Sequence, residues 1–335
     1  MISNISVSVL LPYRNVDHVI LRSLDSIKPQ LQNNELILVE NQVEDSIIVD
    51  QFIQRNPELN IRKFKEIEPG IVKALNTGLQ YCKGEFIARM DADDEMLPNR
   101  LEHQAEYLRA NPEIDLVSGF VEYAGSIEDS RGFALYVDQL NEVKTHDDIS
   151  QLRFIESPFA HPSVMFRKSA IQDQEQYKNG NFPEDYELWL RWLQQGRKMA
   201  KIDSMVLRWY DSENRLSRTD LRCSKSSFTW LKIEYLTHWI NTNVQPNKEI
   251  IIAGVGKLAR PMIEQLIKNG IIVKGITDLK TRSFLNLPFT PWNEIKPSEN
   301  TFIVSMVSNR GSWRLIREDL ENRGFQIMRD FILCA

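Results

Sequence analysis

Three aspartates follow an apolar segment near residue 90. Asp91, Asp93 and Asp94 come directly after the apolar run at 87–90 and precede Pro98 and a helical pattern. In an open parallel sheet that place lies at the carboxyl ends of the strands, where ligands bind. Two carboxylates one residue apart can present oxygens to one hard divalent cation, which would neutralise a diphosphate leaving group. The alternative is an acidic cluster near a helix N-terminus, where aspartates are favourable without a ligand. The preceding strand favours the metal site.

A second segment with an informative spacing lies near the C-terminus. Gly254 and Gly256 stand between a strand pattern and a helix pattern, and Asp278 ends the next strand pattern. This spacing satisfies the dinucleotide-binding fingerprint. The segment from 247 onward has only about 90 residues, enough for one mononucleotide-binding half. The same glycines also allow tight packing of a strand against a helix, so we expect a scaffold or oligomerisation role rather than nucleotide binding.

The elements that position the aspartates alternate regularly through the first 120 residues. Apolar residues recur at helical spacing between short apolar runs. This alternation predicts an α/β fold with a doubly wound, mainly parallel sheet. The predicted strands are 6–11, 35–40, 61–65, 85–90 and 115–119.

The pattern changes in the second half of the chain. Residues 120–160 lose the periodicity and predict an inserted loop region with short irregular elements. Strands follow at 163–166 and 205–210, with helices at 184–195 and 221–240, and the composition resets after Asn247. We therefore predict three parts: a large domain at 1–220, a helical linker at 221–246, and a small Rossmann-like α/β domain at 247–335.

Composition excludes several classes of function. The 335 residues carry a net charge of -5 and contain no long block of lysine and arginine, which argues against a nucleic-acid partner. The three cysteines are far apart and odd in number, which fits neither a disulfide framework nor a structural zinc site. We therefore expect a cytoplasmic protein. Because no apolar run reaches spanning length, any membrane contact would be peripheral, at the inner face of the membrane. The helix at 221–240 is one candidate surface for such contact. The alternative is that it is a plain interdomain helix.

Five ordered blocks carry a resemblance to a known family. They read SVLLPYRN at 8–15, GIVKALNTGL at 70–79, DADD at 91–94, HPSVMFRK at 161–168 and EDYELWLR at 184–191. Together they resemble glycosyltransferase family 2, which has the GT-A fold and inverts the anomeric centre. The resemblance covers roughly the first two thirds of the chain, and five blocks in order are far more specific than one motif.

The resemblance implies roles for residues in these blocks. Pro12 and Tyr13 would line the nucleoside pocket. Asp91 and Asp93 would hold the ribose and the metal-bound diphosphate, with Asp93 as the direct ligand of Mn²⁺ or Mg²⁺. His161 would donate a hydrogen bond to the diphosphate or the acceptor, with a structural role as the equal alternative.

Two other segments relate to the donor. The family usually has an Asp-Asp-Gly-Ser-type turn after its second strand, whereas this chain continues from Glu40 with Asn, Gln and Val. Glu40 could accept a hydrogen bond from a uracil or guanine ring nitrogen, or be an ordinary polar strand end. Arg215 and Arg218 could close over the diphosphate, although most arginines in such a polar segment are simply solvated.

Asp185 is the candidate general base. Single-displacement inversion needs a base near the acceptor hydroxyl, on the face opposite the leaving group, and a carboxylate suits this role. Glu184 is the alternative base, and both acids could instead only favour the N-terminus of a helix. Glu187 and Arg191, four residues apart, are predicted to form a surface pair.

The combined expectation is an inverting, metal-dependent enzyme. It would transfer a hexosyl-type sugar from a nucleotide-sugar donor, UDP-linked, to a saccharide or lipid-linked acceptor during surface-polysaccharide or glycolipid synthesis, and it could form a homo-oligomer. One rival is a non-catalytic nucleotide-sugar-binding protein, although Asp91, Asp93 and Asp185 are all retained. Another is an NAD-linked sugar-modifying enzyme acting through the C-terminal domain, for which the sequence offers no convincing hydride-transfer constellation.

Overall fold

The computed structural model describes residues 6–15, 19–42, 44–171, 176–211, 216–309 and 311–334. Its contacts divide the chain into two compact units, each with its own sheet. The first unit comprises Met1–His146, Pro158–Gly180 and Glu184–Thr219. The second comprises Asp147–Ser157, Asn181–Pro183 and Asp220–Ala335.

The first unit is built on an eight-stranded sheet. Its strand order is β3-β2-β1-β4-β7-β6-β8-β5. Neighbours are parallel except for the pairs β4 with β7, β6 with β7, and β5 with β8. The strands are β1 (Val7–Tyr13), β2 (Glu35–Glu40), β3 (Ile61–Lys65), β4 (Phe86–Arg89), β5 (Glu95–Met96), β6 (Ile114–Tyr123), β7 (Met165–Arg167) and β8 (Lys198–Trp209).

Helices lie between these strands along the chain, and those that belong to the first unit cover its sheet. They bury apolar residues at helical spacing, as Ile20, Leu24 and Ile27 do in the first helix. The helices up to residue 243 are α1 (Val19–Ile27), α2 (Ile47–Arg55), α3 (Ile71–Tyr81), α4 (Arg100–Ala110), α5 (Ile127–Glu142), α6 (His146–Gln151), α7 (Glu184–Gln194), α8 (Leu216–Thr219) and α9 (Lys225–Asn243).

The loop region predicted at 120–160 is wrong for much of its length. Helix α5 occupies 127–142, with a non-helical backbone at Ser130, and α6 follows it. The physical reason lies in four residues at helical spacing. Phe133, Tyr136, Val137 and Leu140 pack against the core cluster of the first unit, and tertiary burial supports a helix that the mixed local charge obscures.

Parallel pairing brings the functional strand ends together. β1 lies between β2 and β4, with Tyr13 beside Glu40 and Leu10 beside Arg89. Helix α3 packs closely on this part of the sheet, because a Cβ built on Gly78 would lie 2.2 Å from Leu10 Cδ1. The ends of β1, β2 and β4 therefore form one edge, which agrees with the predicted doubly wound arrangement.

The second unit contains a five-stranded parallel sheet. Its order is β11-β10-β9-β12-β13, which is the 3-2-1-4-5 order of a Rossmann-like sheet. The strands are β9 (Glu249–Ala253), β10 (Val273–Asp278), β11 (Phe289–Pro291), β12 (Thr301–Ser305) and β13 (Phe331–Leu333), and the helices after α9 are α10 (Ala259–Lys268) and α11 (Ser312–Asn322). Across the described part of the chain, no helix has the length and apolar character needed to cross a membrane.

Candidate active site

The three predicted aspartates form a cluster just after β4. Their carboxylate oxygens lie within 4.8 Å of one another, and Asp94 is buried while Asp91 and Asp93 are partly exposed. Among the described residues this is the group of acidic, histidine or cysteine side chains that could hold a metal ion. Three carboxylates so close repel one another unless a cation or buried positive charge compensates them.

Backbone contacts hold this cluster in place. Arg22 Nη2 donates to the carbonyl oxygen of Asp93 at 2.6 Å, and Ser23 Oγ donates to the carbonyl oxygen of Asp91 at 2.9 Å. The backbone N–H of Tyr210 donates to Asp94 Oδ1 at 2.9 Å. Helix α1 and the segment after β8 therefore fix the turn that carries the acids.

Arg89 is a candidate site residue that the sequence analysis missed. It is the last residue of β4, it is buried, and its guanidinium is ion-paired with the Asp91 carboxylate. Burial alone would lower its pKa, but the negative charge of Asp91 and the hydrogen bond to it outweigh burial, so the pKa lies above its ordinary value. Tyr177 and Glu184 also act on this charge. An arginine inside an apolar strand pattern was the available signal.

His161 lies in the same buried network. It begins a 3₁₀ turn at His161–Ser163, and its Nε2 lies 2.9 Å from the Tyr177 hydroxyl oxygen. Its Nδ1 lies 4.0 Å from Glu184 Oε1. Burial and the nearby positive charge of Arg89 hold the pKa of His161 well below its ordinary range, so the imidazole is neutral at pH 7.

A buried polar network sets the position of that turn. Arg100 Nη2 donates to the carbonyl oxygens of Arg89 and Val164 at 2.9 and 3.2 Å. Gln104, which accepts a hydrogen bond from Arg100 Nε, donates to the carbonyl oxygen of Ser163 at 2.9 Å. Burial lowers the pKa of Arg100 to about 9. Helix α4 thus ties the end of β4 to the turn that carries His161.

Glu184 and Asp185 begin α7, as predicted. Burial and the neighbouring charge of Glu184 raise the pKa of Asp185 to about 7, against a hydrogen bond from the backbone N–H of Tyr186 and the charge of Arg89. A carboxyl group with a pKa near 7 can both accept and release a proton at neutral pH, which general-base chemistry requires.

The predicted surface pair of Glu187 and Arg191 is wrong in its location. The two side chains do pair, at 3.0 Å, but both are buried. The reason is the neighbourhood of α7, where Trp189 and Trp192 are fully buried, so this helix has no wide solvent face. Arg191 Nη2 also donates to the carbonyl oxygen of Gln176 at 2.8 Å, which ties α7 to the segment before it.

The residues predicted to line the nucleoside pocket lie at the ends of β1 and β2. Pro12, Tyr13 and Glu40 are all buried there. The Tyr13 hydroxyl donates to Glu40 Oε1 at 3.1 Å, and the backbone N–H of Ser46 donates to the same oxygen at 2.7 Å. Glu40 Oε2 lies 3.7 Å from Lys63 Nζ. Burial raises the pKa of Tyr13, and so do the negative charge of Glu40 and the hydrogen bond between the two side chains. The Tyr13 phenol therefore stays protonated.

Asn41 holds the neighbouring loop, and the sequence analysis gave it no role. Its Nδ2 donates to the carbonyl oxygens of Glu66 and Glu68 at 3.0 and 2.7 Å, and its Oδ1 accepts from the backbone N–H of Gly70 at 2.8 Å. The side chain therefore connects the end of β2 to the entry of α3. Its position after a predicted strand gave no indication of this long-range bonding.

Arg218, which was predicted to close over the diphosphate, contacts Asp211 and Phe133. Its Nε lies 3.0 Å from Asp211 Oδ1, and its guanidinium carbon lies 4.8 Å from the centre of the Phe133 ring. These contacts fasten α8 to the end of β8 and to α5. Arg215 lies outside the described residues.

The glycine-containing loop of the second unit follows β9, as predicted. Gly254 has a φ of +87° and packs so closely on Val307 that a Cβ would lie 2.6 Å from its Cγ2. Asp278 Oδ2, at the end of β10, accepts from the Val255 N–H at 3.1 Å and from Arg282 Nε at 3.0 Å. The Asp278 carboxylate is thus hydrogen-bonded by two residues of the second unit.

Comparisons with known proteins identify relatives of this chain. The family model described as "Glycosyl transferase family 2" matches residues 8–174. The O-antigen biosynthesis glycosyltransferase WbnJ of Escherichia coli is 34% identical over 192 residues, which cover 56% of this chain and 71% of the relative. The UDP-Gal:alpha-D-GlcNAc-diphosphoundecaprenol beta-1,3-galactosyltransferase of E. coli is 28% identical over 195 residues, covering 58% of this chain and 67% of that relative.

The structure of S. aureus TarS is similar in fold. It superposes with a TM-score of 0.51 at 14% sequence identity, covering 79% of this chain and 49% of TarS. The likeness supports the predicted GT-A fold, with its curled, mainly parallel sheet. Because the chain is 34% identical to WbnJ over 71% of that relative and the family model matches residues 8–174, this chain is a glycosyltransferase and belongs to glycosyltransferase family 2.

Proposed function

We propose that the chain transfers a sugar from a UDP-linked donor to an acceptor hydroxyl, with inversion at the anomeric carbon. One observation carries the proposal: the buried guanidinium of Arg89 interacts with both the acids after β4 and the acids that begin α7. Asp91 is ion-paired with Arg89, and the charge of Arg89 also acts on Asp185 and Glu184. Leaving-group stabilisation and proton removal are the two tasks that such a transfer requires.

The acid cluster fits a hard divalent cation. The three carboxylates offer only oxygen atoms, which is the ligand type that Mg²⁺ and Mn²⁺ prefer. Within the cluster, Asp91 is ion-paired with Arg89 and Asp94 is buried and bound by the Tyr210 N–H. Following the family resemblance, we assign Asp93 as the direct metal ligand and Asp91 to the ribose and diphosphate side. A bound cation would neutralise the charge that develops on the diphosphate.

Asp185 is the proposed base. As the acceptor oxygen forms its bond to the anomeric carbon, the bond from that carbon to the diphosphate oxygen breaks and the nucleotide diphosphate departs. The proton of the acceptor hydroxyl passes to the Asp185 carboxylate. A carboxyl group with a pKa raised to about 7 is a stronger base than an ordinary aspartate and is still ionised in half of the molecules at that pH. Glu184, whose charge raises that pKa, is the alternative base.

Pro12, Tyr13 and Glu40 support the assignment of the donor base. Glu40 has no exposed surface, and its Oε1 is bound by the Tyr13 hydroxyl. Its other oxygen, Oε2, has no hydrogen-bond partner among the described residues. Its ion-pair partner, Lys63 Nζ, lies 3.7 Å away, beyond hydrogen-bond distance, so this oxygen can accept a hydrogen bond from a ring N–H such as that of uracil. For His161 we propose the structural alternative, because its two ring nitrogens face the Tyr177 hydroxyl and the Glu184 carboxylate.

The proposed setting follows the relatives. One relative is named for O-antigen biosynthesis and another for a diphosphoundecaprenol-linked acceptor, so we propose a saccharide or lipid-linked acceptor in surface-glycan synthesis. Contact with such an acceptor would be peripheral, on the cytoplasmic side, and α9 offers the exposed Trp230 for it. We further propose that residues 1–220 carry the chemistry, that 221–246 link the parts, and that 247–335 act as a scaffold or oligomerisation module.

A nucleotide-sugar screen tests the donor and metal assignments together. Thermal unfolding is followed with UDP-, GDP- and CDP-sugars, each with Mn²⁺ and with EDTA. A ligand that binds the folded state raises the unfolding temperature by mass action. We expect UDP-sugars to stabilise the protein only when Mn²⁺ is present. Equal stabilisation in EDTA would contradict the metal assignment, and a selective response to GDP- or CDP-sugars would contradict the base assignment.

A further inference from the structure

Tyr177 is held at its backbone more firmly than a loop residue usually is. The Asn76 side chain, on α3, donates to the Tyr177 carbonyl oxygen at 2.9 Å and accepts from the Tyr177 N–H at 3.1 Å. The preceding carbonyl, that of Gln176, accepts from Arg191 Nη2 on α7 at 2.8 Å. Two helices distant in sequence thus fix one short segment, and with it the place of the Tyr177 phenol.

The phenol meets His161 inside the buried network. Its hydroxyl oxygen lies 2.9 Å from His161 Nε2, and the Tyr177 side chain is fully covered. Burial raises the pKa of Tyr177 far above its ordinary value, so the hydroxyl keeps its proton and can donate it. Since His161 is neutral, only one of its ring nitrogens carries a proton.

The surroundings of His161 decide which nitrogen carries that proton. Nδ1 faces Glu184 Oε1 at 4.0 Å. If Nε2 carried the proton, the Nδ1 lone pair would face a carboxylate, and the two electron-rich groups would repel. If Nδ1 carries the proton, its N–H points toward the carboxylate, and Nε2 accepts from the Tyr177 hydroxyl. Both contacts are then favourable, because Nε2 accepts a hydrogen bond while the Nδ1 N–H attracts the carboxylate electrostatically across 4.0 Å.

We propose that Tyr177 is a positioning residue for the base: its phenol donates to His161 Nε2 and so holds the His161 N–H at Nδ1, directed toward Glu184. The proposal rests on the proposed function only where it concerns turnover. Charge on Glu184 is then stabilised by an N–H donor, and the adjacent Asp185 is the carboxyl group of the pair that takes up the acceptor proton. In this arrangement Tyr177 acts through His161 and takes no direct part in the transfer.

The tautomer of His161 tests the proposal without any assay of activity. In ¹⁵N-histidine-labelled protein at pH 7, the two ring nitrogens of a neutral imidazole give well-separated ¹⁵N shifts, and the protonated one is identified by its coupling pattern. The His161 signal is assigned by its loss in His161→Gln. We expect the proton on Nδ1 in the wild-type chain. A proton on Nε2, or a doubly protonated ring, would overturn the proposal even if sugar transfer is confirmed.

A double-mutant cycle then tests whether Tyr177 acts through His161. We expect Tyr177→Phe to lower kcat about tenfold, with little change in donor KM, because one buried hydrogen bond is lost. In the His161→Gln background the same change should cost less than twofold, since the partner is already absent. Tyr107→Phe removes a hydroxyl from a partly buried tyrosine on α4 and serves as the matched control, with activity unchanged.

The remaining outcomes are also decisive. Additive effects of Tyr177→Phe and His161→Gln would show that Tyr177 acts independently and would contradict the proposal. Full activity of Tyr177→Phe with the tautomer unchanged would do the same. If Tyr177→Phe does not fold, the wild-type tautomer still decides. If sugar transfer proves absent while the Nδ1 proton is found, the proposed function fails and the positioning contact stands.

Discussion

Both sheets have acidic residues at the carboxyl ends of their parallel strands, after β4 in the first unit (the first edge) and at the end of β10 in the second unit (the second edge). The two edges differ in which groups surround the acids. After β4, Asp91, Asp93 and Asp94 gather their carboxylates within 4.8 Å, and they form the only such group found among the described residues. After β10, Asp278 accepts hydrogen bonds from the Val255 N–H and from Arg282. The first edge concentrates negative charge, whereas the second neutralises it locally.

This difference shows that an edge of a parallel sheet is a location for a site and does not by itself make one. The fold supplies strand ends and helix N-termini in both units. Chemistry requires a local concentration of charge that a ligand can compensate, such as clustered carboxylates near a buried arginine. Substitution of one group at a time tests whether activity depends on the first edge alone.

The largest effect is expected from Asp93→Ala. Loss of the proposed metal ligand should lower turnover by about 10³-fold or more, since metal stabilisation of a diphosphate leaving group is worth several kcal/mol. Sugar transfer is measured with Mn²⁺, with EDTA, and after Mn²⁺ is restored. EDTA should reproduce the variant in the wild-type protein, and circular dichroism should show an intact fold. Full activity of Asp93→Ala would mean that the cluster is structural.

Asp185→Asn should separate binding from chemistry. Asparagine keeps the shape of the side chain but cannot accept the acceptor proton, so kcat should fall by about 10²- to 10⁴-fold. The Kd for UDP, measured by calorimetry with Mn²⁺, should change by less than twofold, because the proposed diphosphate ligands lie after β4.

Glu184→Gln is the matched control for Asp185→Asn. It removes the neighbouring carboxylate and should cost much less activity if Glu184 is not the base. The reverse pattern, in which Glu184→Gln is inactive and Asp185→Asn is active, would move the base by one residue. If both variants are active, neither acid is the base.

The pH dependence of turnover should follow the same carboxyl group. Burial and the charge of Glu184 raise the pKa of Asp185 to about 7, and the base must be ionised to act. At saturating substrate, kcat should therefore be constant above about pH 8 and fall about tenfold per unit below pH 7. Glu184→Gln removes the repelling charge, so the midpoint should move to lower pH. A profile that is flat down to pH 5 would exclude Asp185 as the titrating base.

The smallest effect on activity is expected at the second edge. Asp278→Asn removes a charge bound by Arg282 but keeps an acceptor for the Val255 N–H, so the free energy of unfolding should fall by about 1 kcal/mol. Turnover and UDP affinity should change by less than twofold. Thermal unfolding and steady-state assays measure both. A loss of activity as large as that of Asp185→Asn would show that the second edge takes part in transfer.

The sequence allowed the parts of the site that depend on local pattern to be predicted. The acids after β4 follow a buried apolar strand, and Glu184 and Asp185 begin an amphipathic helix, so their location followed from periodicity. The family resemblance then implied their roles. Periodicity was also present in α5, where the mixed charge around it led to the wrong expectation of an irregular loop.

The remaining features depend on contacts between distant segments. Asn76 and Tyr177 are 101 residues apart, and Arg100 reaches the turn at His161 through the carbonyl oxygen of Val164. The burial of Glu187 and Arg191 likewise depends on how α7 packs and not on their spacing. Such bonds satisfy buried polar groups that only the folded chain creates, so no local pattern announces them.

The stereochemistry of the released sugar tests the central claim of single displacement most directly. The enzyme is mixed with an α-linked UDP-sugar and Mn²⁺ in D₂O, and proton NMR records the first anomer formed, either as transfer product or by slow hydrolysis of the donor. A single inverting displacement predicts that the β anomer appears first and that the α anomer forms only through mutarotation of the free sugar. First appearance of the α anomer would mean retention, and the assignment of Asp185 as the base of a single inverting displacement would then be wrong.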